Sequence, residues 1–351
     1  MKNKKFFLEI LIKWNRNKNK RQMPWKGEKD PYKIWISEII LQQTRVQQGL
    51  DYYNRFIKTW PDVKKLAGAN EQAVYKLWEG LGYYSRCKNL IASAKYISDE
   101  LNGIFPNKYE EIIKLKGIGT YTAAAIASFA FGQPYAVLDG NVFRVLSRFF
   151  GIKIPIDSNE GKKLFSGLAN ELIDKKNPAE YNQALMDFGA VICKPAQPLC
   201  NDCLFQKRCI AYKNELVNIL PVKEKNIKKR QRFFNYLVIE KDNKFFVKQR
   251  KEKDIWHNLF EFVLIEADAL IPAKEFLKSA EFISLLCEQG FTCTKISEVY
   301  SQKLTHQTIA GRFFHISLNM PESSLYNYMQ VSKEELALLP FPKFITSYLR
   351  D

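Results

Sequence analysis

Leu115-Lys116-Gly117-Ile118-Gly119-Thr120-Tyr121-Thr122-Ala123-Ala124-Ala125-Ile126-Ala127-Ser128-Phe129-Ala130 is the stretch on which the fold turns. Two glycines two apart permit a tight turn whose successive backbone N–H groups point outward, and the helix that follows adds its own unpaired N–H groups. Together they form an anion site that needs no side-chain charge. Most G-x-G pairs are simply turns. Here the turn lies between two helical patterns, 108–114 and 120–131, and the second is rich in small residues that let a hairpin pack closely. The expectation is a helix–hairpin–helix with Gly117 and Gly119 at a phosphate backbone, a grip that positions a protein without reading sequence.

Outward from this hairpin, residues 1 to about 212 read as helix after helix, over 45–59, 70–79, 85–101, 140–149, 159–175 and 178–191. Asp30-Pro31 is a start signal, an N-cap with proline at the first helical position, leading into YKIWISEIILQQ. The basic, poorly periodic stretch from 213 to about 230 reads as a linker. Beyond it FFNYLVIE (233–240), KFFVKQ (244–249), LFEFVLIE (259–266) and RFFHISL (312–318) alternate as strands do, with helices near 272–289 and 332–350. That is a second, smaller α+β domain.

A length of 351 residues fits about two domains, and 46% hydrophobic with 26% charged residues argues against disorder. The formal net charge is +17, with eleven Lys/Arg against three acids in residues 1–33 and seven against two in residues 213–232. Two separated basic blocks point to a polyanion, nucleic acid above all, although a solvated basic surface is the plainer reading. At the N-terminus, Phe6–Ile12 is too short for a signal segment, contains Glu9 and lacks a small-residue cleavage site. An amphipathic helix and a cytosolic protein are expected, with no membrane partner.

Cys193, Cys200, Cys203 and Cys209 fall within CKPAQPLCNDCLFQKRC at spacing C-x6-C-x2-C-x5-C. Four thiolates so close can share one metal centre, either an iron–sulfur cluster or a tetrahedral zinc. Zinc sites usually present two C-x2-C pairs and this loop has one, so the spacing favours [4Fe–4S]. The other thiols follow no disulfide framework. His257, His306 and His315 have no ligand spacing.

Two carboxylates complete the candidates. Glu38 lies in IWISEIIL; a helical Glu is ordinarily solvated, but this one has apolar neighbours, and burial would raise its pKa enough to hold a proton at neutral pH. Asp139 in YAVLDGN opens the next helix, where N–H groups and the helix dipole favour its anion. Alone it reads as an N-cap. As a pair, one neutral and one charged carboxyl suit cleavage of an N-glycosidic bond, whose leaving base needs a proton and whose sugar needs a negative neighbour.

WISEIILQQTRV (35–46), GLGYYSR (80–86), LKGIGTYTAAA (115–125), LDGNVFRVLSR (138–148) and the four-cysteine loop, in that order, resemble the MutY adenine DNA glycosylases of the endonuclease III superfamily. The resemblance covers about 20 to 212 and implies a multi-domain fold. An all-α helix–hairpin–helix glycosylase domain with a [4Fe–4S] cluster loop would span 1–212, a basic linker 213–230, and an α+β Nudix-like domain 231–351. It implies double-stranded DNA with adenine opposite 8-oxoguanine or guanine as substrate, and a monomeric enzyme. By motif position Glu38 would protonate the flipped adenine at N7, and Asp139 would stabilise the sugar cation, helped by Tyr121 and Asn141. Gln43 and Tyr83 would enter the base stack with Thr44 alongside, and Met23, Trp25, Lys26 and Gln183 would line the adenine pocket. Bifunctional relatives carry a Schiff-base lysine where this chain has Tyr121, which implies a monofunctional enzyme.

The C-terminal part is similar in kind to the family's Nudix-like domain but lacks the Glu-rich box that binds magnesium. Leu304-Thr305-His306 match the relatives' loop that inspects oxidised guanine; the plainer reading is a polar loop at a strand edge. Two rival functions stand beside this one. One is another glycosylase of the same fold, a lyase or a thymine-mismatch enzyme. The other is a non-enzymatic iron–sulfur protein that clamps DNA, which the presence of both carboxylates disfavours.

Overall fold

The computed structural model describes residues 2–224, 229–286, 290–318 and 325–351. Positions 225–228 of the expected linker and 287–289 of the expected helix lie outside the described residues. The chain divides into two compact units, Met1–Gly68 with Asn89–Lys225, and Ala69–Lys88 with Asn226–Asp351.

The first unit is helical. Asp30 caps the helix Pro31–Leu41 by accepting from Tyr32 N at 2.9 Å. Tyr32 and every residue from Ile34 to Ile40 are buried, so this helix has almost no solvent face. It packs against Thr120–Phe131, whose Ala123–Ser128 are buried and small enough to admit it. The helix ends where Gly132 turns left-handed, at φ 64°. Gly140–Phe150 and Pro178–Val191 pack on the N-terminal helix Lys2–Lys18 around Phe7, Trp14, Phe149, Phe165, Phe188 and Phe205. Among the described residues no helix is long and apolar enough to cross a membrane.

Residues 213–224 are more ordered than the linker read from their composition. Leu220 is buried, Ile156 N donates to Val222 O at 3.0 Å, and Glu224 N donates to Asp157 Oδ1 at 2.9 Å. Composition reports charge, and these backbone contacts carry no compositional trace.

The second unit is built on a mixed sheet. Its strands are β1 (Arg230–Lys241), β2 (Lys244–Gln249), β3 (Phe260–Glu261), β4 (Val263–Ala267), β5 (Phe291–Ile296), β6 (Tyr300–Lys303), β7 (Gln307–Leu318) and β8 (Met329–Val331). The order is β3-β2-β1-β7-β5, with β1 and β7 parallel over Arg230–Glu240 and the other pairs antiparallel. Gly311 faces Phe234 in that parallel pair, and a Cβ there would lie 1.9 Å from Phe234 O. Leu237, Ile239, Phe246, Phe276, Phe282, Phe314 and Ile316 form the core. The expected strand 259–266 breaks at Phe262. The expected helix 332–350 splits into Lys333–Leu338 and Lys343–Tyr348, because Pro340 and Pro342 cannot continue a helix. Residues 69–88 group with this unit: Lys76 Nζ donates to Leu339 O at 2.9 Å and Asn258 Nδ2 to Tyr75 Oη at 3.0 Å.

Candidate active site

Glu38 is 7% exposed and projects into a cavity of about 430 Å³ that Tyr121, Asp139, Asn141, Gln183 and Met186 also line. The packed helix around it shields its carboxyl from most contact with bulk water. Burial therefore pushes its pKa from 4.5 up to about 7; the Tyr121 hydroxyl hydrogen-bonds it and pulls the other way, and the negative charge of Asp139 adds to the rise. Burial likewise drives the Tyr121 phenol well above its usual value, with both carboxyls contributing. That hydroxyl also lies 3.6 Å from Met186 Sδ.

Asp139 is the N-cap of Gly140–Phe150. Its Oδ1 accepts from Val142 N at 2.7 Å and its Oδ2 from Asn141 Nδ2 at 2.6 Å. The cap alone implies a depressed pKa, but burial outweighs it and the net shift is upward, against Val142, Asn141 and Arg144. The pair still titrates in order. Asp139 has two donors on its oxygens and a guanidinium nearby, whereas Glu38 has one phenol, so Asp139 loses its proton first.

Distant residues hold this geometry. Buried Asn182 accepts from Val137 N at 3.2 Å and donates to Ser128 Oγ and Tyr135 O, which fixes the segment that delivers Asp139. Arg144, 7% exposed, donates to Asn141 Oδ1 at 2.8 Å, Gly189 O at 2.7 Å and Cys193 O at 2.7 Å. A Cβ at Gly189 would lie 2.7 Å from the Asn141 Cβ, so glycine lets the two helices meet there. Sequence reasoning missed Arg144, Asn182 and Asp187. The available signal was Arg144 on the apolar face of the strongly patterned helix Gly140–Phe150; Pro178–Val191 is weakly patterned and offered none for Asn182 and Asp187.

Met23, Trp25, Lys26, Thr44 and Gln183 all line the same cavity. Gln43 is not part of its lining; it takes a left-handed conformation, φ 60°, just after the helix that carries Glu38. Such backbone strain in a residue other than glycine is often stored at functional sites. In the hairpin, Gly117 has φ 80° and a Cβ there would meet Asn89 at 2.6 Å, so glycine is required. Gly119 is the N-cap of Thr120–Phe131 and no side chain caps that helix, which leaves its first N–H groups available to an anion.

The four cysteines line one small cavity of about 30 Å³ together with Arg148. Buried Arg148 donates to Cys193 Sγ at 3.5 Å and to Lys194 O at 2.7 Å, placing a positive charge where thiolates would need one. Among the described residues, no three His, Cys, Asp or Glu converge on a point that would hold a single metal ion. Four thiols around one cavity are the donor set that a shared metal centre requires.

The second unit holds a separate cavity of about 770 Å³, lined by Gly80–Ser85, Lys88, 253–257, 302–307 and Lys343. Leu304, Thr305 and His306 form the turn between β6 and β7, closed by Leu304 N donating to Gln307 O at 2.7 Å. Thr305 Oγ1 hydrogen-bonds the Tyr83 hydroxyl, a pairing across 222 residues that the sequence did not show. Tyr83 is 46% exposed and left-handed, with φ 49°.

Residues 36–170 match the family described as HhH-GPD superfamily base excision DNA repair protein, and residues 235–351 match the NUDIX domain. An adenine DNA glycosylase of Buchnera aphidicola subsp. Baizongia pistaciae is 34% identical over 86% of this chain and 84% of its own length. The human adenine DNA glycosylase is 40% identical over 58% of this chain and 39% of its own. A thermostable thymine-DNA glycosylase superposes with a TM-score of 0.57 at 29% identity, covering 61% of this chain and 98% of that one. Endonuclease III bound to DNA reaches 0.53 at 20% identity, over 61% of this chain and 97% of that one, a likeness of fold.

The folded protein binds the Glu38 proton more tightly than the unfolded chain does. This carboxyl therefore leaves wild-type stability undiminished below about pH 4.5 and costs about 3 kcal/mol as the pH rises through about 7. Glu38→Gln removes that dependence. In denaturant titrations the variant should gain stability over wild type by about that amount between pH 4.5 and pH 8. A difference that does not vary with pH would show Glu38 to be solvated.

Proposed function

The chain belongs to the adenine DNA glycosylases, base excision repair enzymes of the HhH-GPD superfamily, and from that premise we propose that it hydrolyses the N-glycosidic bond of adenine mispaired with 8-oxoguanine or guanine, as a monofunctional monomer acting on cytosolic, nucleoid-associated DNA. The observation that carries this reading is a carboxyl still protonated near neutral pH beside a hydrogen-bonded aspartate, in a cavity roomy enough for a nucleobase.

The adenine must leave the duplex to enter that cavity, at a cost of about a few kcal/mol. Glu38 then donates its proton to N7, which turns the base into a neutral leaving group. As the bond stretches, the sugar acquires oxocarbenium character, and Asp139, held by Val142 N and Asn141 Nδ2, supplies the negative neighbour. Tyr121 steadies Glu38, and Arg144 steadies Asn141 in turn. Water adds to the sugar carbon that the base has left, its proton passes to the Glu38 carboxylate, and an abasic site remains. Tyr121 has no amine to form a Schiff base, which supports hydrolysis without strand cleavage.

Gly117 and Gly119 offer their N–H groups to a backbone phosphate, and Gln43 and Tyr83, both held left-handed, would enter the stack beside the orphan base with Thr44 near it. Leu304, Thr305 and His306 would inspect that base, with Thr305 already paired to Tyr83. Cys193, Cys200, Cys203 and Cys209 would hold a [4Fe–4S] cluster, which supplies a cross-link to the fold in place of reaction chemistry.

Wild-type protein should release free adenine from an A:8-oxoguanine duplex in single turnover, at a rate that declines as the pH rises above about 7. Glu38→Gln should lower that rate by about 100-fold or more while duplex binding persists; a loss under about tenfold would contradict the role of proton donor. Thr305→Ala should narrow the preference for 8-oxoguanine over guanine opposite the adenine, and an unchanged ratio would remove the loop from recognition. Anaerobically purified protein should contain iron and labile sulfide with broad visible absorption. Cys203→Ser should lose both; zinc in place of iron would overturn the cluster assignment.

A further inference from the structure

Asp187 is fully buried on the helix Pro178–Val191, behind Arg21, Lys26 and Gln183, which line the cavity described above, and no step of the proposed chemistry uses it. Its Oδ1 accepts from Arg21 Nη1 at 2.8 Å and from Gln183 Nε2 at 2.9 Å. Its Oδ2 accepts from Asn19 Nδ2 at 2.8 Å and Lys26 Nζ at 3.0 Å. A carboxylate offers about four acceptor positions and no donor. All four are taken, two of them by cations.

This saturation fixes the polarity of Gln183. A primary amide can present either end to a neighbour, but only its NH2 can face a carboxylate, because the reverse would set two oxygen acceptors against each other. With Nε2 committed to Asp187, the free end of this cavity-lining amide is Oε1. N7 and the 6-substituent of a purine share one edge. A base whose N7 meets Glu38 therefore presents its 6-substituent beside that contact, within the cavity that Gln183 lines.

We propose that Asp187 is a positioning residue that sets substrate specificity. By holding the Gln183 amide with its oxygen toward the cavity, it makes the site an acceptor for a 6-amino group and repels a 6-oxo group. The class of base selected is thus the 6-aminopurines, and guanine and hypoxanthine are rejected by like polarity as well as by shape. Leaving a paired polar group unmatched is the strongest form of discrimination a pocket has. The Asp187 clamp also draws Arg21 and Lys26 onto the helix and so seats the loop that carries Met23 and Trp25.

This inference rests on the adenine-releasing function, and one experiment separates the two. Single-turnover release is measured for adenine, hypoxanthine and unsubstituted purine, each opposite 8-oxoguanine, with wild type, Asp187→Asn and Gln183→Met. Failure of wild type to release adenine would end the functional reading itself. Given that release, Asp187→Asn frees the amide to reverse, and the hypoxanthine-to-adenine rate ratio should rise about tenfold, the worth of one hydrogen bond. Gln183→Met keeps the length of the side chain but removes the acceptor, so the adenine-to-purine ratio should fall by about the same factor. A purely structural role predicts that Asp187→Asn slows all three bases equally, and that result overturns the proposal. Should Asp187→Asn not fold, Gln183→Met decides alone: an adenine-to-purine ratio within about threefold of wild type refutes it.

Discussion

Everything in the helical unit follows from enclosing one carboxyl. A helix with nearly every residue from Tyr32 to Ile40 buried leaves Glu38 little room to hydrate, and a charged form so enclosed is costly enough to move its titration to about 7. A solvent-facing glutamate would have donated its proton long before a base arrived. The enclosure needs a neighbouring helix that can come close, and the alanine-rich run after the hairpin supplies it. The turn that offers N–H groups to a phosphate is thus continuous with the helix that buries the acid, so gripping DNA and storing a proton are two ends of one element.

The helix Pro178–Val191 is the other organiser. Successive faces of it do separate things: Tyr181 fills the core, Asn182 fixes the approach to Asp139, and Gln183 lines the cavity. Asp187 ties down the N-terminal loop, and Gly189 admits the backbone at Asn141. A helix can do this because residues three and four apart stand on one face while their neighbours point elsewhere. Gln183 and Met186 line the cavity from this helix, and Met186 also meets the Tyr121 hydroxyl, so displacing the helix would move both carboxylates' supports together.

What was legible in the sequence was local. Glu38 in its apolar run, Asp139 before a helix, the paired glycines and the clustered cysteines each carry their own meaning within a dozen residues, and the helix boundaries at Asp30-Pro31 and Gly132 follow from capping chemistry. What was not legible was long-range. Arg144, Asn182 and Asp187 look like stray polar residues until the helices meet. The grouping of 69–88 with the C-terminal residues depends on contacts such as Lys76 with Leu339 that no periodicity encodes. Strands β5, β6 and β8 are short and mostly exposed, so their alternation was too weak to read. The upward shift of Asp139 was missed for a related reason: the cap is written in the sequence, but burial depends on what folds over it.

That shift bears on how the two acids divide their work on a polyanion. Bringing phosphates near the cavity deepens the negative potential there and raises the proton affinity of every carboxyl within a Debye length, about 8 Å at physiological salt. On the proposed chemistry the change favours Glu38, which would hold its proton more firmly until a base with an available N7 accepts it. For Asp139 the same field would be harmful, because a neutral aspartic acid cannot stabilise a cationic sugar. The bonds from Val142 N and from the side chain and backbone of Asn141, together with the Arg144 guanidinium behind Asn141, oppose it. The fixed donors around Asp139 therefore preserve the difference between two carboxyls that burial and DNA would otherwise make alike.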